Sequence, residues 1–117
     1  MSYIDGFVIA VETRRRDEFV DHARRMDALF LEWGATRVME CWADDVPTGQ
    51  VTDFHRSVQA TEGEAVVFSW IEWPDKETRD AAMARMMADE RMMAEPMPFD
   101  GKRMIFGGFT PVVELTA

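Results

Sequence analysis

The chain has 117 residues, enough for one domain with a hydrophobic core and too few for two. Its 13 basic and 22 acidic residues give a formal net charge of −9, which disfavours binding to the phosphate backbone of a nucleic acid. The densest basic run, Arg14–Arg16, is followed at once by Asp17 and Glu18, so it forms no basic patch and we expect no nucleic-acid partner.

Cysteine content and the first residues indicate the compartment. Cys41 is the only cysteine, so no disulfide can form within the chain, and this usage is typical of a reducing compartment. Asp5 and Gly6 interrupt the apolar region that an export signal would need, and no stretch is long enough to span a membrane. We therefore expect a cytoplasmic protein with no membrane partner.

The first predicted elements are a strand and a long helix. The apolar run within Tyr3–Val11 predicts a strand that is buried on both faces. A helix is predicted from a cap at Thr13 to Gly34, because apolar residues recur there at spacings of three and four: Phe19, Ala23, Met26, Phe30 and Trp33. The charged residues between them, with His22 and Asp27 among them, are predicted on the solvated face.

The remaining elements complete a sheet and a second helix. Ala35–Trp42 and Val51–Val58 are extended runs on either side of turn-forming residues, which predicts a β-hairpin. Glu64–Pro74 predicts a further strand that ends at its proline, and Asp75 is expected to cap a helix running to about Asp89. Lys102–Phe109 predicts the last strand, in which paired glycines indicate a bulge or a close backbone approach.

The Glu64–Pro74 strand has apolar side chains on both of its faces. One face holds Val66, Phe68 and Trp70, and the other holds Ala65, Val67, Ile71 and Trp73. Such a strand needs a covering layer on each side, and two helices on one face supply only one. Leaving several of these side chains in water would cost about 1.5–3 kcal/mol each. We therefore expect a second copy of the chain to cover the open face.

The element order is β, α, β-hairpin, β, α, β. This order predicts an α+β fold of the ferredoxin-like split βαβ type, with an antiparallel sheet and one extra hairpin strand. Residues 1–117 are expected to form a single domain. Pairing of two such sheets would give a dimeric α+β barrel, so we expect a homodimer.

Several runs resemble a known family: Tyr3–Val8, Glu40–Pro47, Val66–Glu72, Met97–Ile105 and Gly107–Phe109. They resemble the YbaA-like family of small bacterial proteins of unknown function, within the dimeric α+β barrel superfamily. The resemblance covers nearly the whole chain and implies the fold and the homodimer. Relatives in that superfamily include cofactor-free monooxygenases, isomerases, chlorite-dismutase-like haem enzymes and ligand-sensing domains, so the resemblance implies no single activity.

Asp53 and His55 are the candidate catalytic residues. They are two apart on a predicted strand, so both side chains are expected on the same face. An aspartate that orients a histidine prepares a general base, which a cofactor-free enzyme of this fold would need. The alternative is the polar outer face of a hairpin strand. A further alternative makes His55 the axial ligand of a haem.

Two glutamates are predicted beside indoles and are candidate acids. Glu40 shares a strand face with Trp42, and Glu72 shares one with Trp70. A carboxylate beside indoles has its charged form disfavoured by desolvation, which prepares an acid for proton transfer. The alternative is a structural ion pair with a basic side chain across the strands or across the dimer, from Arg37, Arg56, Lys102 or Arg103.

Basic residues at the end of the chain are candidates for binding an anionic group. Lys102 and Arg103 follow Asp100 at the start of the last strand, and the alternative is turn chemistry at a charged strand end. The full set of predicted ligand-binding residues is Glu40, Trp42, Arg56, Trp70, Lys102 and Arg103.

Metal ligands are not expected. His22, His55, Cys41 and the carboxylates form no metal-binding pattern, since His22 is predicted on the solvated helix face and no two soft ligands have chelate spacing. Ten methionines, most of them late in the chain, are expected to fill the core beneath the second helix. The alternatives are a copper(I) thioether site and a deformable ligand wall.

These patterns together predict a small homodimer with a pocket between helices and sheet in each protomer. The pocket is expected to bind a small organic molecule and to transform it without a bound cofactor. Asp53 and His55 would orient the molecule or move a proton, and Arg56, Lys102 and Arg103 would hold charge. The alternative is a non-catalytic dimeric module that binds a ligand or a protein partner.

Overall fold

A computed structural model describes residues 1–117 and contains four β-strands and three α-helices. In chain order they are β1 (Tyr3–Glu12), α1 (Arg16–Glu32), β2 (Arg37–Trp42), α2 (Phe54–Ser57), β3 (Glu64–Trp73), α3 (Lys76–Ala88) and β4 (Ile105–Phe109). Short 3₁₀ turns precede α1 and follow α3, at Thr13–Arg15 and Glu90–Met93. No helix combines the length and the apolarity needed to cross a bilayer.

The strands form one antiparallel sheet in the order β2-β3-β1-β4. The two ten-residue strands β1 and β3 occupy the centre, where both of their faces are apolar, and the shorter strands form the edges. The long helices α1 and α3 lie on one face of the sheet. Each joins two parallel strands that lie on either side of a third strand, β1 to β2 and β3 to β4, and right-handed crossovers place both helices on the same side. This is the ferredoxin-like α+β arrangement, as predicted.

The ends of the long helices follow from local chemistry. Gly34 has a φ of 111°, a left-handed conformation that glycine adopts without strain, and α1 stops there as predicted. Asp75 caps α3, because its carboxylate accepts a hydrogen bond of 2.7 Å from the backbone N–H of Thr78. The predicted cap at Thr13 is wrong, because Thr13 begins a 3₁₀ turn and no side chain caps α1.

The main core lies between the helices and the sheet. Side chains from the apolar stripe of α1 pack there against alternate residues of β1 and β3. Trp73 is fully buried in this layer, with its ring edge-to-face against Phe30 at 6.3 Å. The even-numbered residues of β3 face the other way, so the predicted division of this strand into two apolar faces is confirmed.

The opposite face of the sheet is only half covered. Val58, just after α2, packs against Val8, Ala10 and Val66 and buries that part of the face. Beyond it, large apolar side chains remain exposed: Phe54 and Phe68 at 45%, Ile105 at 45% and Phe109 at 61%. We call this the open face.

The predicted hairpin is wrong, because Val51–Val58 forms no strand. The Asp53 carboxylate accepts hydrogen bonds from the backbone N–H groups of Arg56 at 2.7 Å and Gly49 at 3.1 Å. These bonds cap the four-residue helix α2 and close the loop that precedes it. Local side-chain bonding therefore replaces the ladder pairing of a strand, and the sheet has four strands with no extra hairpin strand.

Candidate functional site

A cavity of about 370 Å³ lies between the sheet and the helices α1 and α3. Most of the residues that line it are apolar. The aromatic walls are Phe7, Phe19, Phe30, Phe99 and Phe106. The thioether walls are Met26, Met83, Met86, Met92, Met97 and Met104. An apolar cavity with a few polar groups is the usual form of a small-molecule site, so those polar groups decide its chemistry.

Two carboxyl groups meet at one wall of this cavity. Glu40 on β2 lies directly opposite Ser69 of β3 and faces the helices, and Asp27 reaches it from α1. The two carboxyl groups are hydrogen-bonded to each other. Burial raises the pKa of Asp27, and burial together with the Asp27 carboxylate raises the pKa of Glu40 to about 9. At neutral pH Glu40 therefore keeps its proton next to the Asp27 carboxyl.

The pair is accessible from outside the cavity as well. Asp27 and Glu40 also line a shallower groove along α1 and the β2 edge, where Trp42 packs beneath Arg16 at 5.5 Å. Glu40 is consequently exposed as a residue, although its carboxyl group is desolvated beside Asp27. The buried Ser69 lies opposite Glu40 and acts against burial by lowering the pKa of its carboxyl.

A histidine lines the same cavity one turn before Asp27. His22 is 9% exposed, and its Nδ1 lies 2.7 Å from Oε1 of Glu95. Arg25 also bonds Glu95, with Nη2 at 2.7 Å from Oε1, and it lowers the pKa of that carboxyl to about 2 together with His22. An ionised carboxylate only accepts hydrogen bonds, so Nδ1 carries the hydrogen, and Nε2 makes no hydrogen bond within the chain.

A buried ion pair forms the far wall of the cavity. Arg79 of α3 bonds Asp5 of β1 through two nitrogens, with Nη2 at 2.9 Å and Nε at 3.1 Å. The indole Nε1 of Trp73 donates to the same carboxylate at 2.8 Å, and Asp80 accepts from Nη1 of Arg79 at 3.0 Å. Asp5 is 4% exposed and accepts hydrogen bonds from both Arg79 and Trp73, so this ion pair links α3 to the sheet.

The predicted ligand-binding residues are divided between several places. Glu40 lines the cavity and Trp42 lines the adjoining groove. Trp70 borders the cavity, but its indole stands on the open face, where it packs against Phe68 at 5.7 Å and donates to Glu72 at 2.8 Å. Within one chain neither Glu40 nor Glu72 pairs with a basic side chain, and an ion pair across the dimer stays a prediction.

The predicted basic residues lie outside the cavity. Arg103 pairs with Glu64 at 2.7 Å, which lowers the pKa of Glu64 to about 2, and it also bonds Asp100. Arg56 donates to the carbonyl oxygens of residues 49 and 50 and so closes the α2 loop. Lys102 is exposed and immediately precedes Arg103 in the chain. A role for these three residues in ligand binding stays a prediction.

The predicted catalytic pair is also outside the cavity. Asp53 is the cap of α2, and His55 is inside that helix, so the expected common strand face does not exist. Both oxygens of Asp53 are occupied by backbone N–H groups, and neither oxygen bonds His55. A catalytic or haem-binding role for His55 stays a prediction whose structural premise is wrong.

The sequence interpretation placed Asp27 and His22 on the solvated face of α1, and this placement is wrong. Asp27 is four residues after Ala23 and three before Phe30, which puts it within the apolar stripe. His22 is three residues after Phe19 and belongs to the same stripe. The spacing of these polar residues within the stripe was the signal that the interpretation missed.

Comparison with known proteins gives the family. Residues 2–101 match the family described as Protein of unknown function (DUF1428). The chain is 55% identical over 116 residues to Uncharacterized protein YbaA of Escherichia coli (strain K12), covering 97% of this chain and 99% of that protein. Uncharacterized protein YbaA of Shigella flexneri gives the same values. The resemblance to the YbaA-like family is thereby confirmed.

Solved structures agree on the fold. One is a dimeric ferredoxin-like protein from an uncultured marine organism, with a TM-score of 0.60 and 11% identity over 98% of this chain and 100% of that chain. Another is an uncharacterized NIPSNAP domain protein from Burkholderia xenovorans, with a TM-score of 0.58 and 16% identity over 98% and 99% of the two chains. These likenesses confirm the ferredoxin-like α+β fold, and the sequence matches show that the chain belongs to the DUF1428 family of proteins of unknown function.

Proposed function

We propose that the protein is a homodimer that binds a small, mainly apolar organic molecule in the cavity and exchanges a proton with it through Asp27 and Glu40. The observation that carries this proposal is the adjacent, desolvated carboxyl pair at the wall of a mainly apolar cavity. Perturbed carboxyl groups that face a cavity are typical of proton-transfer sites.

The chemistry follows from the charge state of the pair. Glu40 keeps its proton at neutral pH and can donate it, and we assign to Asp27, in its ionised form, the role of proton acceptor. A proton can therefore enter or leave a bound molecule without a cofactor, since both forms stand side by side in a desolvated wall. The proposal assigns to Asp27 and Glu40 the proton-transfer role that was predicted for Asp53 and His55.

The open face supports the homodimer. Phe68 and Phe109 are large apolar side chains that remain 45% and 61% exposed in one copy of the chain. A second copy that presents the same face would bury both sets, as the two-fold symmetry of most homodimers allows. A protein of similar fold is described as dimeric. A cytoplasmic location stays a prediction from the single cysteine.

Ligand binding is tested with the neutral fluorescent probe N-phenyl-1-naphthylamine. We expect saturable binding to the wild type, because the probe is apolar and its size suits the cavity. Met86→Trp fills the cavity and should abolish the signal. Met87→Trp is the matched control, since Met87 is the next residue on α3 and is 79% exposed. Equal binding by both variants would show that the probe binds elsewhere and would count against the proposal.

Proton exchange is tested with 5-nitrobenzisoxazole, an apolar ring compound that a base opens by removing one C–H proton as the N–O bond breaks. We expect the wild type to accelerate this elimination above the buffer rate, and Asp27→Asn to lose the acceleration because the ionised member of the pair is gone. Asp17→Asn, on the solvated side of α1, is the control. No acceleration by the wild type would favour the alternative, a non-catalytic dimeric binding module.

A further inference from the structure

We infer that the ligand of the cavity is an organic amine, whose ammonium group is held by Asp27, Glu40 and His22 and whose apolar body fills the space between the phenylalanines. The inference rests on the proposed function, which places a small molecule in the cavity. It goes further by naming the chemical class and the groups that recognise it.

The polar groups at this wall are hydrogen-bond acceptors. Asp27 and Glu40 offer carboxyl oxygens that no arginine or lysine of the protein neutralises. His22 adds a third acceptor: its Nδ1 hydrogen is committed to Glu95, so in the neutral imidazole Nε2 presents a lone pair. His22 is nine-tenths buried and lines the cavity, and its Nε2 has no partner in the chain. A primary ammonium has three N–H donors to match three acceptors.

The basic groups of the cavity are already occupied. Arg79 donates from Nε and Nη2 to Asp5 and from Nη1 to Asp80. Arg25, beside the cavity, donates from Nε and Nη2 to Glu95. Arg16 and Arg24 lie in the outer groove and do not line the cavity. An anionic ligand would therefore meet negative charge without a free cation to bind it, whereas a cation would complete the site.

The aromatic walls suit the same ligand class. Phe19 and Phe99 meet edge-to-face at 6.0 Å beside His22, and Phe7 stacks with Phe106 at 6.4 Å across the cavity. Ring faces attract a cation as well as an apolar body, so they favour an ammonium with a hydrocarbon substituent over a hydrated inorganic ion.

Amine binding has a measurable consequence for the shared proton. An ammonium beside the pair favours the ionised form of both carboxyls. Glu40 then releases its proton to the buffer, and the product is an ammonium held between two carboxylates. We expect about one proton to be released per ligand bound at pH 7, because Glu40 is protonated in the free protein at that pH.

The test uses three probes that share a naphthalene ring and carry a cationic, a neutral or an anionic substituent: 1-naphthylmethylamine, 1-naphthalenemethanol and 1-naphthoic acid. Calorimetric titrations at pH 7 in phosphate and in Tris measure affinity and proton release together. We expect the amine to bind at least about tenfold more tightly than the alcohol, and the acid to bind most weakly. Glu40→Gln should abolish the proton release, whereas Glu62→Gln, at an exposed turn, should retain it.

The outcomes separate this inference from the proposed function. An alcohol that equals the amine, an acid that binds most tightly, or amine binding without proton release would overturn the amine inference. If the alcohol and N-phenyl-1-naphthylamine still bind in a manner that Met86→Trp abolishes, the proposed ligand site stands and only the ligand class is wrong. If none of the probes binds, both proposals fail.

Discussion

Replacing Glu40 by glutamine should stabilise the protein at neutral and alkaline pH. The folded chain keeps a proton on Glu40 up to about pH 9, whereas the unfolded chain releases it near the ordinary value of 4.5. The folded state therefore binds more protons between these values, and the free energy of unfolding falls as the pH rises through them. Glutamine is neutral, has nearly the same shape and can still donate a hydrogen bond to Asp27. The free energy of unfolding of the variant should therefore not fall with pH in this way.

The size of the effect follows from the change in pKa. The rise in the pKa of Glu40 from 4.5 to about 9 sets an upper limit of ~6 kcal/mol on the free energy of unfolding that is lost at pH 9 and above. Glu40 is also exposed to the outer groove, and solvent screens its interactions there. We therefore expect Glu40→Gln to raise the free energy of unfolding at pH 8 by about a third of this limit, ~2 kcal/mol. At pH 4, below the unfolded value, the two proteins should have the same stability.

The assay is urea unfolding at pH 4, 6 and 8, followed by tryptophan fluorescence at one fixed protein concentration, because the stability of a dimer depends on concentration. Glu62→Gln is the matched control and should follow the wild type at every pH, since Glu62 lies in an exposed turn. A Glu40→Gln variant that is less stable than the wild type at pH 8, or a difference that does not grow between pH 4 and pH 8, would refute the shared-proton account.

Three further predictions concern the assembly, the buried ion pair and the last strand. Sedimentation should show a dimer for the wild type and for Met87→Lys, but aggregated or unfolded material for Phe68→Lys; a folded monomer of the latter would contradict the dimer. Asp5→Ala should lower the free energy of unfolding by ~3–5 kcal/mol in urea titrations, because it leaves a half-buried arginine and a buried indole N–H without this acceptor, and a loss below ~1 kcal/mol would be inconsistent with that role. Gly108→Ala should lower the melting temperature, at a cost of ~1–3 kcal/mol, because its added Cβ would lie 2.2 Å from the hydroxyl of a tyrosine. Gly107→Ala meets only contacts of 3.5 Å and should change the stability by less than ~1 kcal/mol, so equal effects at the two glycines would show that the contact is unimportant.

The architecture was predictable where the periodicity of the sequence matches the burial of the structure. The apolar residues of Glu64–Trp73 alternate between two buried or half-buried faces, and the spacings of three and four that start at Phe19 define the buried side of α1. Asp75 caps α3 as its position before the apolar pattern predicts. In these elements local preference and tertiary packing favour the same conformation.

The segment before β3 was not predictable from its β-branched residues. Val51 and Val58 favour a strand, but Asp53 bonds two backbone N–H groups in its own neighbourhood and makes a short helix instead. Val58 follows this short helix, is only 1% exposed and packs against the sheet. The predicted catalytic dyad failed with the strand, because its geometry depended on that strand.

The candidate site was predictable only in part. Glu40 was identified as an acid whose charged form is disfavoured, but its partner was expected to be a cation, and it is Asp27. That pairing joins residues from α1 and β2, which only the packing of the helix on the sheet brings together. The position of Asp27 within the apolar stripe of α1 contained the necessary signal, but sequence spacing alone does not show which strand residue lies opposite.

The six methionines of the cavity determine which property of a ligand the protein can select. Thioether chains are unbranched and soft, so a wall built from them adapts to molecules of different outline at little cost. The carboxyl pair and the histidine are anchored to a strand and a long helix and cannot adapt in this way. The protein should therefore discriminate weakly between related compounds that differ in size or shape, and strongly between compounds that differ in charge.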